Sequence, residues 1–173
     1  MLLDIDKKEI EALYTLTRRV VEAAAAKKIS ITTAESCTGG MIAGFITSVP
    51  GSSSVFCGGA VTYSNTLKEN FLGVSPETLR NYGAVSHQTA LEMSLGIREA
   101  TAADLGLAVT GIAGPSGGTP DKPVGLVYIS LTGPSPIEFA IECHFNGSRD
   151  KIRFETAKKA IAMLYDGVLR GIQ

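Results

Sequence analysis

Two glycine-bearing turns set the limits on how this chain folds: Thr38-Gly39-Gly40 and Thr110-Gly111-Ile112-Ala113-Gly114. Each directly follows a segment that reads as a strand. Residues 29–34 are short, β-branched and bounded on both sides. Residues 105–109 are a continuous apolar run, the pattern of a strand buried on both faces. Apolar residues at helical spacing fill the chain around them, so strands alternate with helices. That alternation predicts an α/β layered fold with a mostly parallel sheet. In such sheets ligands bind in the crevice beyond the carboxyl ends of the strands, where both turns lie.

The remaining elements agree with this frame. Asp6 caps a first helix, with Glu9 at its third position and Ile5 and Ile10 as a hydrophobic staple. Leu13, Leu16, Val20 and Ala24 form its apolar stripe, and Lys27-Lys28 suit its C-terminus. Residues 41–49 predict an apolar helix broken at Pro50 and Gly51. Residues 59–63 predict a second strand, and Ser64 or Asn65 caps a short helix through Leu72. Ser75 caps another helix with Pro76 just inside it, and Ser86 caps a helix over 87–103. Strands over 124–131 and 137–145 are joined by Gly133-Pro134-Ser135-Pro136, which predicts an antiparallel hairpin and makes the sheet mixed. The last helix spans 149–169, with Ala157, Ala160, Ile161, Leu164 and Val168 facing inward. With no repeat and no linker, the 173 residues read as a single domain, 1–173.

Composition removes several function classes. Hydrophobic residues make up 45% and charged residues 19%, which excludes disorder. Sixteen Lys+Arg against seventeen Asp+Glu, a net charge of −1, argue against nonspecific nucleic-acid binding. No apolar run reaches the roughly 18 residues a membrane span needs, so no membrane partner is expected. The N-terminus has no signal pattern, and a cytoplasmic location is the expectation. Cys37, Cys57 and Cys143 contain no CxxC pair, and His87 and His144 are the two imidazoles, which argues against disulfides and a zinc site. Cys57 and Cys143 read as core. Apolar segments such as 49–56 permit a homodimer.

The turns also bring candidate chemistry. Free N–H groups at a helix start near Thr38, Gly39 and Gly40 favour an anion, either a phosphate or the oxyanion of acyl transfer. An isolated Gly-Gly is equally a tight turn without a ligand. The second turn matches neither the dinucleotide fingerprint nor the P-loop, but its backbone can cradle a phosphate or a base. Arg149, at the end of Asn146-Gly147-Ser148-Arg149, can add a bidentate anion contact. Taken singly, Arg149 is a solvated surface residue.

Ser36 sits at the tip of the first turn, and a serine nucleophile needs a base. Neither histidine sits on a glycine turn. Lysine is the other partner serine uses. Lys68 follows the second strand in Tyr63-Ser64-Asn65-Thr66-Leu67-Lys68. If the first two strands are neighbours, Ser36, Tyr63 and Lys68 converge. Taken singly, Lys68 is a solvated helix lysine and Tyr63 a strand aromatic. Only about one ordinary lysine in 2,500 is neutral at pH 7, and lowering its pKa by about three units costs roughly 4 kcal/mol. A catalytic Lys68 must therefore be desolvated or lie beside another cation. Cys37 is a rival nucleophile whose thiol a helix N-terminus would acidify, and it is equally a small buried filler.

Five segments together resemble one family. They are 33–40, Val61-Thr62-Tyr63-Ser64-Asn65 with Lys68, Gly83-Ala84-Val85-Ser86, Thr110-Gly111-Ile112-Ala113-Gly114-Pro115, and Lys122-Pro123-Val124-Gly125. The chain resembles the CinA C-terminal domain family over about residues 10–169. Its members include stand-alone bacterial nicotinamide-nucleotide amidases. The resemblance implies a three-layer α/β/α fold and hydrolysis of the carboxamide of nicotinamide mononucleotide to nicotinate mononucleotide and ammonia. It also implies a small-molecule nucleotide as the substrate, with no metal and no cofactor. It places the family's serine on Ser36, its lysine on Lys68 and its tyrosine on Tyr63. Its binding segments fall on Thr38-Gly39-Gly40 and on 110–114. Two alternatives stay open here: a nucleotide-binding module that has lost the chemistry, and an amidase that uses Cys37.

Overall fold

The computed structural model describes residues 4–170. Five strands form one sheet in the order β2-β1-β3-β4-β5. They are β1 (Ile31–Glu35), β2 (Phe56–Val61), β3 (Leu105–Gly111), β4 (Leu126–Thr132) and β5 (Glu138–His144). β1 pairs parallel with β2 and with β3, while β4 runs antiparallel to both β3 and β5. Four of the five strands therefore point one way, and the sheet is mixed and mostly parallel as expected.

The helices are α1 (Lys7–Lys27), α2 (Met41–Thr47), α3 (Asn65–Leu72), α4 (Pro76–Tyr82), α5 (His87–Thr101) and α6 (Arg149–Arg170). Each cap read from the sequence is present. Asp6, Ser64, Ser75 and Ser86 accept from the N–H of Lys8, Leu67, Glu77 and Thr89. Glu9 takes the reciprocal backbone hydrogen bond from Asp6, as in a capping box, and also pairs with Lys151 on α6 at 2.8 Å.

Strand alternation splits the core in two. Leu105, Leu107 and Val109 on β3 join α1, α2 and α6 in the larger cluster. The other face carries small residues, Ala34 and Ala108, against Leu72, Val74, Met93 and Ile97 from the α3–α5 side. Smallness there sets the spacing. A Cβ on Gly106 would come within 2.4 Å of the Ser94 carbonyl of α5. Ser94 and Ser130 share a buried hydrogen bond of 2.6 Å across the same gap.

Two details depart from the sequence reading. β2 runs over Phe56–Val61, three residues earlier at its start than expected. It is an edge strand pairing only with β1, so its two glycines are tolerated where a central strand would be weakened. Tyr63 consequently lies past the strand end. Cys57 is exposed on that edge and is not a core residue, whereas Cys143 on β5 is half-buried and packs against the larger core cluster. Among the described residues, no helix is long and apolar enough to cross a membrane.

Candidate active site

Parallel pairing aligns three strand ends. Glu35 stands opposite both Val61 and Val109 in register. The next residue on each strand is therefore Ser36, Thr62 or Thr110, all on one edge of the sheet. A crevice of about 260 Å³ opens there, with Ser36, Cys37, Tyr63, Lys68, Thr110 and Arg149 in its wall.

Lys68 is the decisive group. It sits in the first turn of α3, whose position after β2 is fixed by the Ser64 cap. Its side chain is 1% exposed, the largest fully buried one among the described residues. The nitrogen Nζ lies 3.2 Å from Ser36 Oγ and 2.7 Å from the Thr62 carbonyl. Neither partner is anionic. Burial pushes the ammonium pKa below its ordinary value. The solvated-lysine reading is excluded, and the pKa moves in the direction a lysine base requires.

Cys37 lies beside Ser36 in a different environment. Burial pushes its thiol up to about 12, against the acidification a helix N-terminus would give. Neither histidine lines the crevice. His144 is exposed and paired with Glu142, and His87 is exposed at the start of α5.

The first glycine turn corrects one expectation. The amides at the start of α2 are occupied. The Glu35 carboxylate, 1% exposed, accepts from the N–H of Gly40 at 2.9 Å, Ile42 at 3.1 Å and Ala43 at 2.8 Å. The carbonyl of Ser36 takes the Gly39 N–H. Thr38, Gly39 and Gly40 are not in the crevice wall. Thr38 is wholly buried, and its carbonyl is held by Arg153 at 2.8 Å. A strand-end carboxylate reaching back over five to eight residues has no short sequence signature, so this internal anion was not foreseeable.

The second turn faces the crevice. Thr110, Gly111, Ala113 and Gly114 all line the crevice. Thr110 Oγ1 donates to the Ala84 carbonyl at 2.6 Å, tying the end of β3 to the segment before α5. Among the described residues, no acceptor is within reach of the Ala113 or Gly114 N–H. Arg149 donates from Nη1 to the Gly114 carbonyl at 2.8 Å and from Nη2 to the Tyr63 hydroxyl at 3.0 Å. It therefore bridges opposite sides of the mouth. Tyr63 is 61% exposed and forms the rim. Ala84, Val85, Ile112, Ser116 and Gly117 also line the crevice. Ile112 falls in the 110–114 segment already read as binding; sequence reasoning assigned the other four no role, although Ala84 and Val85 fall in the quoted Gly83–Ser86 segment.

A larger open groove of about 640 Å³ lies between α1 and α2, with Ile10, Tyr14, Met41 and Phe45 in its wall. Its polar lining residues, Glu11, Thr15 and Ser48, form no nucleophile–base pair.

The family model of the CinA C-terminal domain matches residues 13–168. The chain belongs to the CinA C-terminal domain family. A competence-damage inducible relative from Acetivibrio thermocellus is 50% identical over 165 residues, 92% of this chain and 40% of its own length. A CinA-like protein from Thermotoga neapolitana is 49% identical over 79% of this chain and 33% of its own. The chain thus spans two-fifths or less of these relatives. Among solved structures, the competence/damage inducible protein CihA from Agrobacterium tumefaciens superposes with a TM-score of 0.88 at 42% identity. That match covers 91% of this chain and 95% of CihA. A CinA superfamily protein from Klebsiella pneumoniae gives 0.87 at 34% identity, covering 91% and 98%. The α/β fold of the family is therefore the fold of this chain.

Proposed function

We propose that the crevice hydrolyses the carboxamide of nicotinamide mononucleotide, with Ser36 as nucleophile and Lys68 as general base. The observation that carries this reading is a lysine nitrogen 3.2 Å from a serine hydroxyl, buried and without a counter-charge. In its neutral form Lys68 donates to the Thr62 carbonyl, which leaves its lone pair for the Ser36 proton.

Ser36 Oγ forms the bond to the amide carbon as its proton passes to Lys68. Lys68 then returns that proton to the nitrogen as the C–N bond breaks and ammonia leaves. Water, deprotonated in turn by Lys68, releases nicotinate mononucleotide and frees Ser36. Thr38 and Gly39 lie outside the crevice wall, and the Gly39 amide is taken by the Ser36 carbonyl, so the free N–H groups of Ala113 and Gly114 take the oxyanion role. Arg149 retains donors beyond its two bonds and is placed to meet the phosphate. Tyr63 orders that arginine through its hydroxyl.

Ammonia release from nicotinamide mononucleotide by the wild-type chain and by Ser36→Ala tests the reading. Loss of the nucleophile should lower turnover by about 10⁴-fold or more while nucleotide binding persists. Wild-type binding without ammonia would leave a binding module instead. Equal activity in Ser36→Ala would remove Ser36 from the mechanism, and inactivation only by Cys37→Ala would transfer the role to Cys37.

A further inference from the structure

Two of the quoted segments, Gly83–Ser86 and Lys122–Gly125, supply no catalytic group. The first lines the crevice, and the second ends the connection that supplies the other wall. Ala84 and Val85 form one wall, and Ile112, Ala113, Gly114, Ser116 and Gly117 the other. The first wall is rigid. It is a tight turn between α4 and α5 whose Gly83 carbonyl accepts from Thr89 Oγ1 at 2.7 Å and from Ser86 Oγ at 3.2 Å. The second wall belongs to the connection over 112–125, which contains no helix or strand.

Among the described residues, one side chain hydrogen-bonds from that connection to this turn. Lys122 Nζ donates to the Tyr82 carbonyl at 2.5 Å and to the Val85 carbonyl at 2.7 Å. Its own backbone is held in a turn with Thr119, by Thr119 N–H to the Lys122 carbonyl and by Lys122 N–H to Thr119 Oγ1. The target is shaped for it. Gly83 has a φ of +76°, and a Cβ there would stand 3.1 Å from Nζ. Thr110 Oγ1, at the end of β3, also donates to the Ala84 carbonyl of that turn. Lys122 is the tie from the connection itself. It does not itself line the crevice.

We propose that Lys122 is a positioning residue: its ammonium clips the 112–125 connection to the turn before α5 and so sets the gap between the two walls. The inference rests on that crevice being the amidase site. The catalytic pair hangs on β1 and α3 and is independent of the clip. Opening the gap should therefore weaken nucleotide binding and leave the chemical step nearly intact.

The test uses the full chain as wild type, Lys122→Met, which keeps length but loses all donors, and Lys122→Arg, which keeps donors and charge. Hydrogen exchange should accelerate in Lys122→Met at 83–85 and 112–118 and stay unchanged in β1 and α3. KM for nicotinamide mononucleotide should rise about tenfold, with kcat altered less than about threefold, and Lys122→Arg should recover most of both effects. Unchanged exchange at the two walls overturns the clip whatever the kinetics. Accelerated exchange throughout the chain reduces Lys122 to a general stability role and overturns it as well. A fall in kcat with KM unchanged, or faster wall exchange with unaltered KM, does the same. If the wild-type chain releases no ammonia, the amidase reading fails, and the exchange data alone still decide whether Lys122 joins the walls.

Discussion

The two glycine-rich turns leave neighbouring parallel strands, yet they do opposite work. At the first, the helix start is filled from within by the Glu35 carboxylate, which accepts three amides. At the second, the amides of Ala113 and Gly114 find no acceptor among the described residues and belong to the crevice wall. In the proposed function the first turn therefore holds Ser36 still, and the second is left to meet the ligand. A glycine-rich turn at a strand end marks where an anion can sit. In the first turn that anion is Glu35, the last residue of β1, where β3 has the uncharged Val109 in register.

Removing the internal anion is the strongest way to break the contrast. Glu35→Gln loses the charge and presents a donor to backbone donors, so stability should fall by about 3 kcal/mol, the scale of charged hydrogen bonds left unmade. For a chain of this size that is a drop in thermal midpoint of roughly 10 °C, read by calorimetry. A midpoint within about 2 °C of wild type would mean the carboxylate is not what holds the first turn.

Gly114→Ala attacks the open turn. Gly114 has a φ of +74°, and a Cβ would lie 2.6 Å from Val124 Cγ1. Backbone strain of about 1–2 kcal/mol should accompany a shifted wall and a KM raised about tenfold. Steady-state kinetics would contradict the division of labour if kcat fell while KM held.

The smallest effect is expected at Thr38. Its hydroxyl is wholly buried and has no hydrogen-bond partner. Thr38→Val should change stability by about 0.5 kcal/mol or less and leave KM unchanged, because no ligand contact is lost. A KM raised tenfold in that variant would return the first turn to the binding site.

The contrast also separates what the sequence can carry from what it cannot. Caps at Asp6, Ser64, Ser75 and Ser86 were legible because each side chain bonds its own helix within two or three residues. The sheet was legible because β1 and β3 are apolar or β-branched runs bounded by turn residues. Ser36, Tyr63 and Lys68 could be named as a convergent set, but only on the condition that β1 and β2 are neighbours. The burial of Lys68 comes from α3 packing under α5 and from the strand ends closing over it, contacts between segments remote in sequence. Glu35 illustrates the same limit: an acidic residue at a strand end looks identical whether it faces a ligand or closes a helix. Arg149 looked like a surface residue because its acceptors, Gly114 and Tyr63, lie 35 and 86 positions away.

The central claim is that Lys68 is poised to be neutral beside Ser36. Its depressed pKa has a thermodynamic sign. Between the folded and the unfolded value the unfolded chain binds one more proton, so stability rises with pH across that window. Below the folded value the full penalty of burying the ammonium is present. The direct measurement is an NMR titration of the Lys68 Cε signal in the folded chain, assigned by its loss in Lys68→Met. The account predicts a midpoint well below the ordinary value of about 10.4, with turnover rising along the same curve. A midpoint at or above that ordinary value would contradict it.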